Sequence, residues 1–268
     1  MRKLWQLSCL TFREGIRHRA LHGILVLAIV LTALNLVLPD LFMYDLGKVA
    51  VDIGLSITAL SGLLLIFFLA IQLLGQDLDK RTVYLVLACP VSRHQYILGK
   101  FLGTLLLILI SFVFLGGLTS GSVFVVRLLY PAYAGSQFSW MIFFVAQGFL
   151  FLGLVVTTAV AFFFASFTTS SYMTLLLTLL TYVIGHGMEP VKMAIKGNTL
   201  SSSPWLMHLI DGASWVFPNL AVFDLKTAAA YGLPLRPDIL VWTVLYGLCY
   251  TIILLLASVL IFARRELA

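Results

Sequence analysis

The 268-residue chain is 61% hydrophobic and only 10% charged, with a mean hydropathy of +1.06, whereas a soluble domain carries roughly a quarter of its residues as Asp, Glu, Lys and Arg. A water-soluble fold is excluded, because a globule of this length could not cover its exterior with polar groups it does not possess. The net charge of +6 sits at the borders of apolar runs rather than in a basic stripe with stacking aromatics, so it argues against a nucleic-acid partner and reads as an orientation signal.

In residues 1–19, Trp5, Cys9, Phe12 and Ile16 recur at i, i+4, i+7 and i+11, and Arg13 and Arg17 flank that face. The spacing predicts an N-terminal amphipathic helix lying at the interface. Leu7 and Leu10 fall off the stripe, where they can meet a protein neighbour. A basic topogenic leader explains the same residues equally well. A cleaved signal peptide does not, because Leu36-Val-Leu-Pro39 follows the first apolar run where a small-x-small site is needed.

A charged side chain costs roughly 2.5–3.5 kcal/mol at the centre of a membrane helix, so intervals free of Asp, Glu, Lys and Arg mark the spans. They are 20–39, 53–76, 101–126, 128–188 and 239–263. The fourth is too long for one helix of about 20 residues. Ser166-Phe-Thr-Thr-Ser-Ser171 divides it, and Tyr130-Pro-Ala-Tyr-Ala-Gly-Ser136 precedes its first half. The expected fold is an all-α membrane protein of six transmembrane helices in a single domain, 1–268. The spans carry scattered hydroxyls and amides, among them Thr58, Ser61, Thr119, Gln147, Thr157 and Thr181, whose default partners are carbonyls of their own helices. No ionisable acid or base is expected inside any span, which disfavours ion-coupled transport.

Two connecting segments are more than loops. In 75–100, Gly75 ends span two, Asp77 and Asp79 favour a helix start, Pro90 stops that helix, and Ser92-x-x-Gln95 is a capping box opening span three. The apolar strip 83–88 between them needs a partner surface. In 187–238, Ser203-Pro204 starts a one-sided apolar helix through Trp205, Leu206, Leu209, Ile210 and Ala213, and a second short helix runs from Leu225 to Tyr231 and ends at Gly232. Both are expected to lie in or dip into the outer leaflet. Gly99-x-x-x-Gly103 and Gly117-x-x-x-Gly121 permit close helix approach, a spacing common in membrane helices that suggests packing within the subunit.

Orientation follows from the basic residues. Arg2, Lys3, Arg13, Arg17, Arg19, Lys80, Arg81, Arg93, Lys100, Arg264 and Arg265, eleven of the seventeen, fall on one side of a six-span chain. Both ends are therefore expected in the cytoplasm, with 187–238 outside. Trp140, Trp205, Trp215 and Trp242 fall near the outer boundary, where amphipathic rings sit at headgroup level.

Arg81-Thr82 before an apolar stretch, then Pro90-Val91-Ser92-Arg93, Tyr96 and Gly99-Lys100, resembles the cytoplasmic signature of type 2 ABC transporter permeases. The opening Thr11-Phe-Arg-Glu-Gly-Ile-Arg17, the late Pro218-Asn219, Phe223-Asp224 and Tyr231-Gly232, and the Arg264-Arg265-Glu266-Leu267 tail extend the likeness over nearly the full chain. Asp77 departs from it, since relatives often carry glutamate there. The resemblance implies that 78–88 is a cytoplasmic coupling helix docking in a separate ABC ATPase subunit, with Asp77, Asp79, Lys80, Arg81, Thr82 and Tyr84 at the contact. It also favours docking for the helix carrying Trp5, Phe12, Arg13, Ile16 and Arg17. ATP and Mg would be bound by that partner and no cofactor by this chain. A second permease copy, membrane lipid and the bacterial inner membrane complete the implied setting.

Catalytic chemistry is missing from the sequence. Gly99-Lys100 has neither the upstream glycine nor the hydroxyl of a phosphate-binding loop, and the spans hold no nucleophile-base set. His186, Met188 and Glu189 are too few and too ordinary to define a metal site. Two functions remain: export of an amphipathic or lipid-like substrate, or transmission of ATP-driven motion to an extracytoplasmic protein. The topology has a direct check. In a cysteine-free background, His94→Cys should resist an impermeant thiol reagent applied to intact cells while Asn198→Cys reacts; labelling at 94 from outside overturns the six-span reading.

Overall fold

The computed structural model describes residues 2–37, 46–71, 92–129, 138–168, 170–196, 212 and 216–264. Among them the chain is helical throughout, with no strand. Helix α1 is Arg2–Arg17, α2 Arg19–Val37, α3 Leu46–Leu65, α4 Arg93–Leu129, α5 Trp140–Phe167, α6 Ser171–Lys196, α7 Lys226–Tyr231 and α8 Pro237–Arg264. Six of these, α2 to α6 and α8, are long and apolar enough to cross a bilayer.

The helices begin and end where local chemistry requires. His18 interrupts α1 and α2, its ring Nδ1 accepting the Ala20 amide at 3.3 Å while the Leu21 amide donates to its carbonyl. Helix α4 opens on the expected capping box: the Gln95 amide donates to Ser92 Oγ and the Ser92 amide to Gln95 Oε1, each at 3.3 Å. Gly232 ends α7 in the left-handed region at φ 65°, the conformation in which a side chain is strained. Helix α3 continues into a π turn, Ile66–Ala70, in which the Ile71 amide reaches back to the Ile66 carbonyl.

Three boundaries differ from the sequence reading. Helix α3 starts at Leu46 rather than 53, taking Lys48 and Asp52 into its first turns, where Lys48 sits 5.1 Å over the Tyr231 ring and Asp52 is exposed. Helix α4 starts at Arg93 and so includes Lys100. Helix α6 runs through Gly187 and Pro190 to Lys196. Charge-free intervals mark the part of a helix that must lie in hydrocarbon, and a helix continues beyond it at no cost. The first helix expected in 187–238, from Ser203 to Ala213, lies outside the described residues.

Polar atoms in the spans are consumed locally. Thr32, Thr104, Thr157, Thr158, Thr178, Thr243 and Thr251 each donate to the carbonyl four residues back, as water-free surroundings demand. A smaller set bonds between helices. Asn35 Nδ2 on α2 donates to the Ala50 carbonyl on α3 at 3.1 Å and to Ser122 Oγ on α4 at 3.2 Å, and the Thr58 and Thr119 hydroxyls meet at 2.7 Å. Gln147 ties α5 to the Gly116 carbonyl of α4, and Ser258 ties α8 to the Phe162 carbonyl of α5. Interhelical bonds of this kind contribute about 0.6 kcal/mol on average and up to about 1.7. Asn35→Ala should therefore lower the unfolding midpoint in detergent by the equivalent of about 1–3 kcal/mol, while Thr32→Val, which removes a bond within one helix, changes it less; equal midpoints for the two would mean that Asn35 does not hold α2.

Candidate functional site: the α1 junction and the re-entrant segment

At the end of the bundle where α3 finishes and α4 starts, α1 lies along α4 with backbones in close contact. The seam is made of small groups. A Cβ on Gly103 would come within 2.6 Å of the Ser8 carbonyl oxygen, and one on Gly99 within 2.6 Å of Leu7 Cδ2. The first of the two glycine pairs is thus filled from within the subunit. Gly117 and Gly121 meet nothing and line an open groove of 590 Å³ between α2 and α4.

Ser8 Oγ donates to the Gly99 carbonyl at 3.0 Å, and the Lys100 ammonium, its side chain only 5% exposed, lies 3.6 Å from the half-exposed Glu14 carboxylate. One to two turns earlier, Arg93 Nη1 donates to the Ala263 carbonyl of α8 at 3.1 Å, and the buried Tyr96 stacks on Phe262 at 5.7 Å. The first two turns of α4 are thereby fastened to α1 on one side and α8 on the other.

The face of α1 that touches protein is Leu7, Ser8, Thr11 and Gly15, all buried. The apolar stripe singled out from spacing points elsewhere: Trp5 is 64% and Ile16 42% exposed, Cys9 is partly buried, and Phe12 packs partly against the Leu21, Ile24 and Leu65 cluster. Arg13 and Arg17 are exposed beside that stripe. Of the two off-stripe leucines, Leu7 is buried and Leu10 is 58% exposed. Asp77, Asp79, Lys80, Arg81, Thr82 and Tyr84 lie outside the described residues. Spacing analysis missed Ser8, Glu14 and Lys100; the Gly99-x-x-x-Gly103 pair was the signal that α4 takes a close neighbour here.

At the opposite end the chain re-enters the bundle. Tyr250 donates to the Val216 carbonyl at 3.2 Å, the Asn219 amide to the Tyr246 hydroxyl at 2.9 Å, and the Leu220 amide to the Gly185 carbonyl at 3.1 Å. Phe223 is buried against Gly153 and Gly247. Gly247 and Tyr250 lie about 15 and 20 Å along α8 from Pro237 at 1.5 Å per residue, so the segment reaches roughly half the depth of the helix. The short helix expected to end at Gly232 is present as α7.

The expectation of spans without ionisable groups is corrected at this point. His186 lies within α6, its ring 4.3 Å from that of Tyr182. The re-entrant segment brings Asp224 and Lys226 to the same small space of 60 Å³, lined also by Thr157 and Phe223. The two charges pair at 3.2 Å, and Asp224 Oδ1 also accepts the Lys226 amide. His186 Nδ1 is buried with no hydrogen-bond partner among the described residues, and the space has room for about two water molecules to serve it. A carboxylate and an ammonium from a connecting segment are invisible to a search for charges within apolar runs.

The α1 seam yields a measurable expectation. Gly103→Leu should unseat α1, because its side chain would meet the Ser8 backbone and Thr11 Cβ, neither of which is the far end of a flexible side chain, and should speed tryptic cleavage after Arg13 and Arg17 in detergent. Glu14→Gln should leave the seam closed, since an ion pair with a half-exposed partner contributes about 1 kcal/mol or less. Unchanged cleavage in Gly103→Leu would show that the glycine contact does not hold α1.

Comparison with curated proteins gives no match. Comparison with protein families gives one over residues 5–267, the ABC-2 family transporter protein, which takes in both α1 and the re-entrant segment. The chain accordingly belongs to the ABC-2 family of transporter proteins, as a multi-pass membrane subunit of an ABC transporter.

Proposed function

We propose that this chain is the export permease for an amphipathic or lipid-like substrate, working as one of a pair in the bacterial inner membrane with both ends in the cytoplasm. Family membership implies an ABC ATPase subunit as partner; ATP and Mg belong to that subunit. In this reading the loop 75–100 receives the ATPase stroke, through Asp77, Asp79, Lys80, Arg81, Thr82 and Tyr84, and Trp5, Phe12, Arg13, Ile16 and Arg17 hold α1 at the membrane surface beside the ATPase.

The observation that carries the reading is the attachment of α4. Its capped first residues, Ser92 and Gln95, follow directly on the loop, and the next two turns are fastened to α1 and α8. Force applied to the loop therefore reaches three helices together. The low charge of the spans, with most hydroxyls bonded within their own helices, supports an amphipathic rather than an ionic cargo.

The test is recovery of the cognate ATPase in detergent, normalised to folded permease. Arg81→Glu and Tyr84→Ala should each reduce it, the latter by the equivalent of about 2 kcal/mol, as for an aromatic anchor in an interface. Lys192→Ala, on the other side of the membrane, should not. Wild-type recovery with both loop variants removes the coupling assignment.

A further inference from the structure

A second cavity lies on the other side of the re-entrant tip. It measures 380 Å³ and is walled by Val160, Phe163 and Phe164 of α5, Leu177 and Thr181 of α6, and Tyr250 of α8, with Phe217 and Pro218 as its roof. Close-packed interiors leave few voids larger than a water molecule, so a space of this size has an occupant in the membrane.

The lining decides what kind. Its two side-chain hydroxyls are already spent: Thr181 donates to the Leu177 carbonyl at 2.9 Å and Tyr250 to the Val216 carbonyl at 3.2 Å. Water needs two to four polar partners and finds too few here. Its rim is apolar and open outward, with Leu180 54% and Val216 70% exposed. Tyr250 lies about 20 Å along α8 from Pro237 at 1.5 Å per residue, within the hydrocarbon layer of a bilayer about 30 Å thick, while Phe163 and Phe164 lie about 5 Å from the end of α5 at Phe167, so the cavity runs from the middle of the layer toward one boundary.

We infer that this cavity is a binding site for one acyl chain of a membrane phospholipid, which lies beneath Phe217 and Pro218 and supports the tip of the re-entrant segment. The lipid is a resident structural ligand rather than cargo, held by hydrocarbon and ring contacts alone. Helix α6 forms one wall and also bonds the segment through the Gly185 carbonyl, so occupancy and the position of the segment are coupled.

The experiment uses the full-length permease without its ATPase, reconstituted in a single defined phospholipid doped with the same lipid carrying a diazirine midway along one acyl chain. After irradiation, adducts are mapped by peptide mass spectrometry. Adduct yield on residues 160–164 and 177–181 should exceed that on the exposed α8 residues Leu245 and Leu248 by about tenfold, the factor that corresponds to 1.4 kcal/mol of preference. A probe with the diazirine on the headgroup should show no such excess. Thr181→Phe and Leu177→Phe, which fill the space from two positions, should each abolish the excess. Equal labelling of the cavity walls and the α8 face overturns the proposal, even if neither variant folds. An excess that persists in both folded variants, or one reproduced by the headgroup probe, also overturns it.

Discussion

The close packing of α1 along the start of α4, where the Lys100 ammonium is buried, sets the conditions for one end of this protein. A charge with its side chain 5% exposed, one residue before a stretch that must lie in hydrocarbon, has to be met where it stands. Glu14 meets it, and Glu14 is available only because α1 lies along α4 with small groups at the crossing. The close approach at Gly99 and Gly103, the Ser8 bond to the Gly99 carbonyl and the burial of Leu7 all follow from that placement. The glycine seam and the Ser8 bond fix the setting of α1 against α4, and the Lys100–Glu14 contact lies beside them.

That setting gives α1 three distinct sides. Leu7, Ser8, Thr11 and Gly15 face protein, Trp5 and Ile16 remain apolar and exposed, and Arg13 and Arg17 stand beside them. A helix with this division has one orientation at a membrane surface, rings toward the acyl boundary and guanidinium groups toward water. The amphipathic pattern and the docking contact are separate properties of separate faces.

The six spans were legible because the penalty for charge in hydrocarbon is large and leaves wide gaps between Asp, Glu, Lys and Arg. The start of α4 and the end of α7 were legible because a Ser-x-x-Gln box and a terminal glycine each satisfy specific backbone groups. The docking face of α1 was not, because periodicity finds the most apolar stripe, and Ser8, Thr11 and Gly15 are buried for their small size. The interior end of the re-entrant segment was equally hidden: Phe223 against Gly153 and Gly247, and Asp224 beside His186, join residues far apart in the chain. The part of α6 from Gly185 to Glu189 has the same origin, since Asn219 Nδ2 donates to Glu189 at 3.0 Å and the Leu220 amide to the Gly185 carbonyl, contacts that hold it from outside the helix.

Asp224 and Lys226 enter the bundle as an ion pair 3.2 Å apart, and this has an electrical consequence. A single charge carried across the membrane potential exchanges about 2.3 kcal/mol of work per 100 mV. A segment bearing one charge of each sign, displaced as a unit, exchanges almost none. Movement of the re-entrant segment is thereby insulated from the voltage of the cell, and its energetics are left to contacts with the surrounding helices.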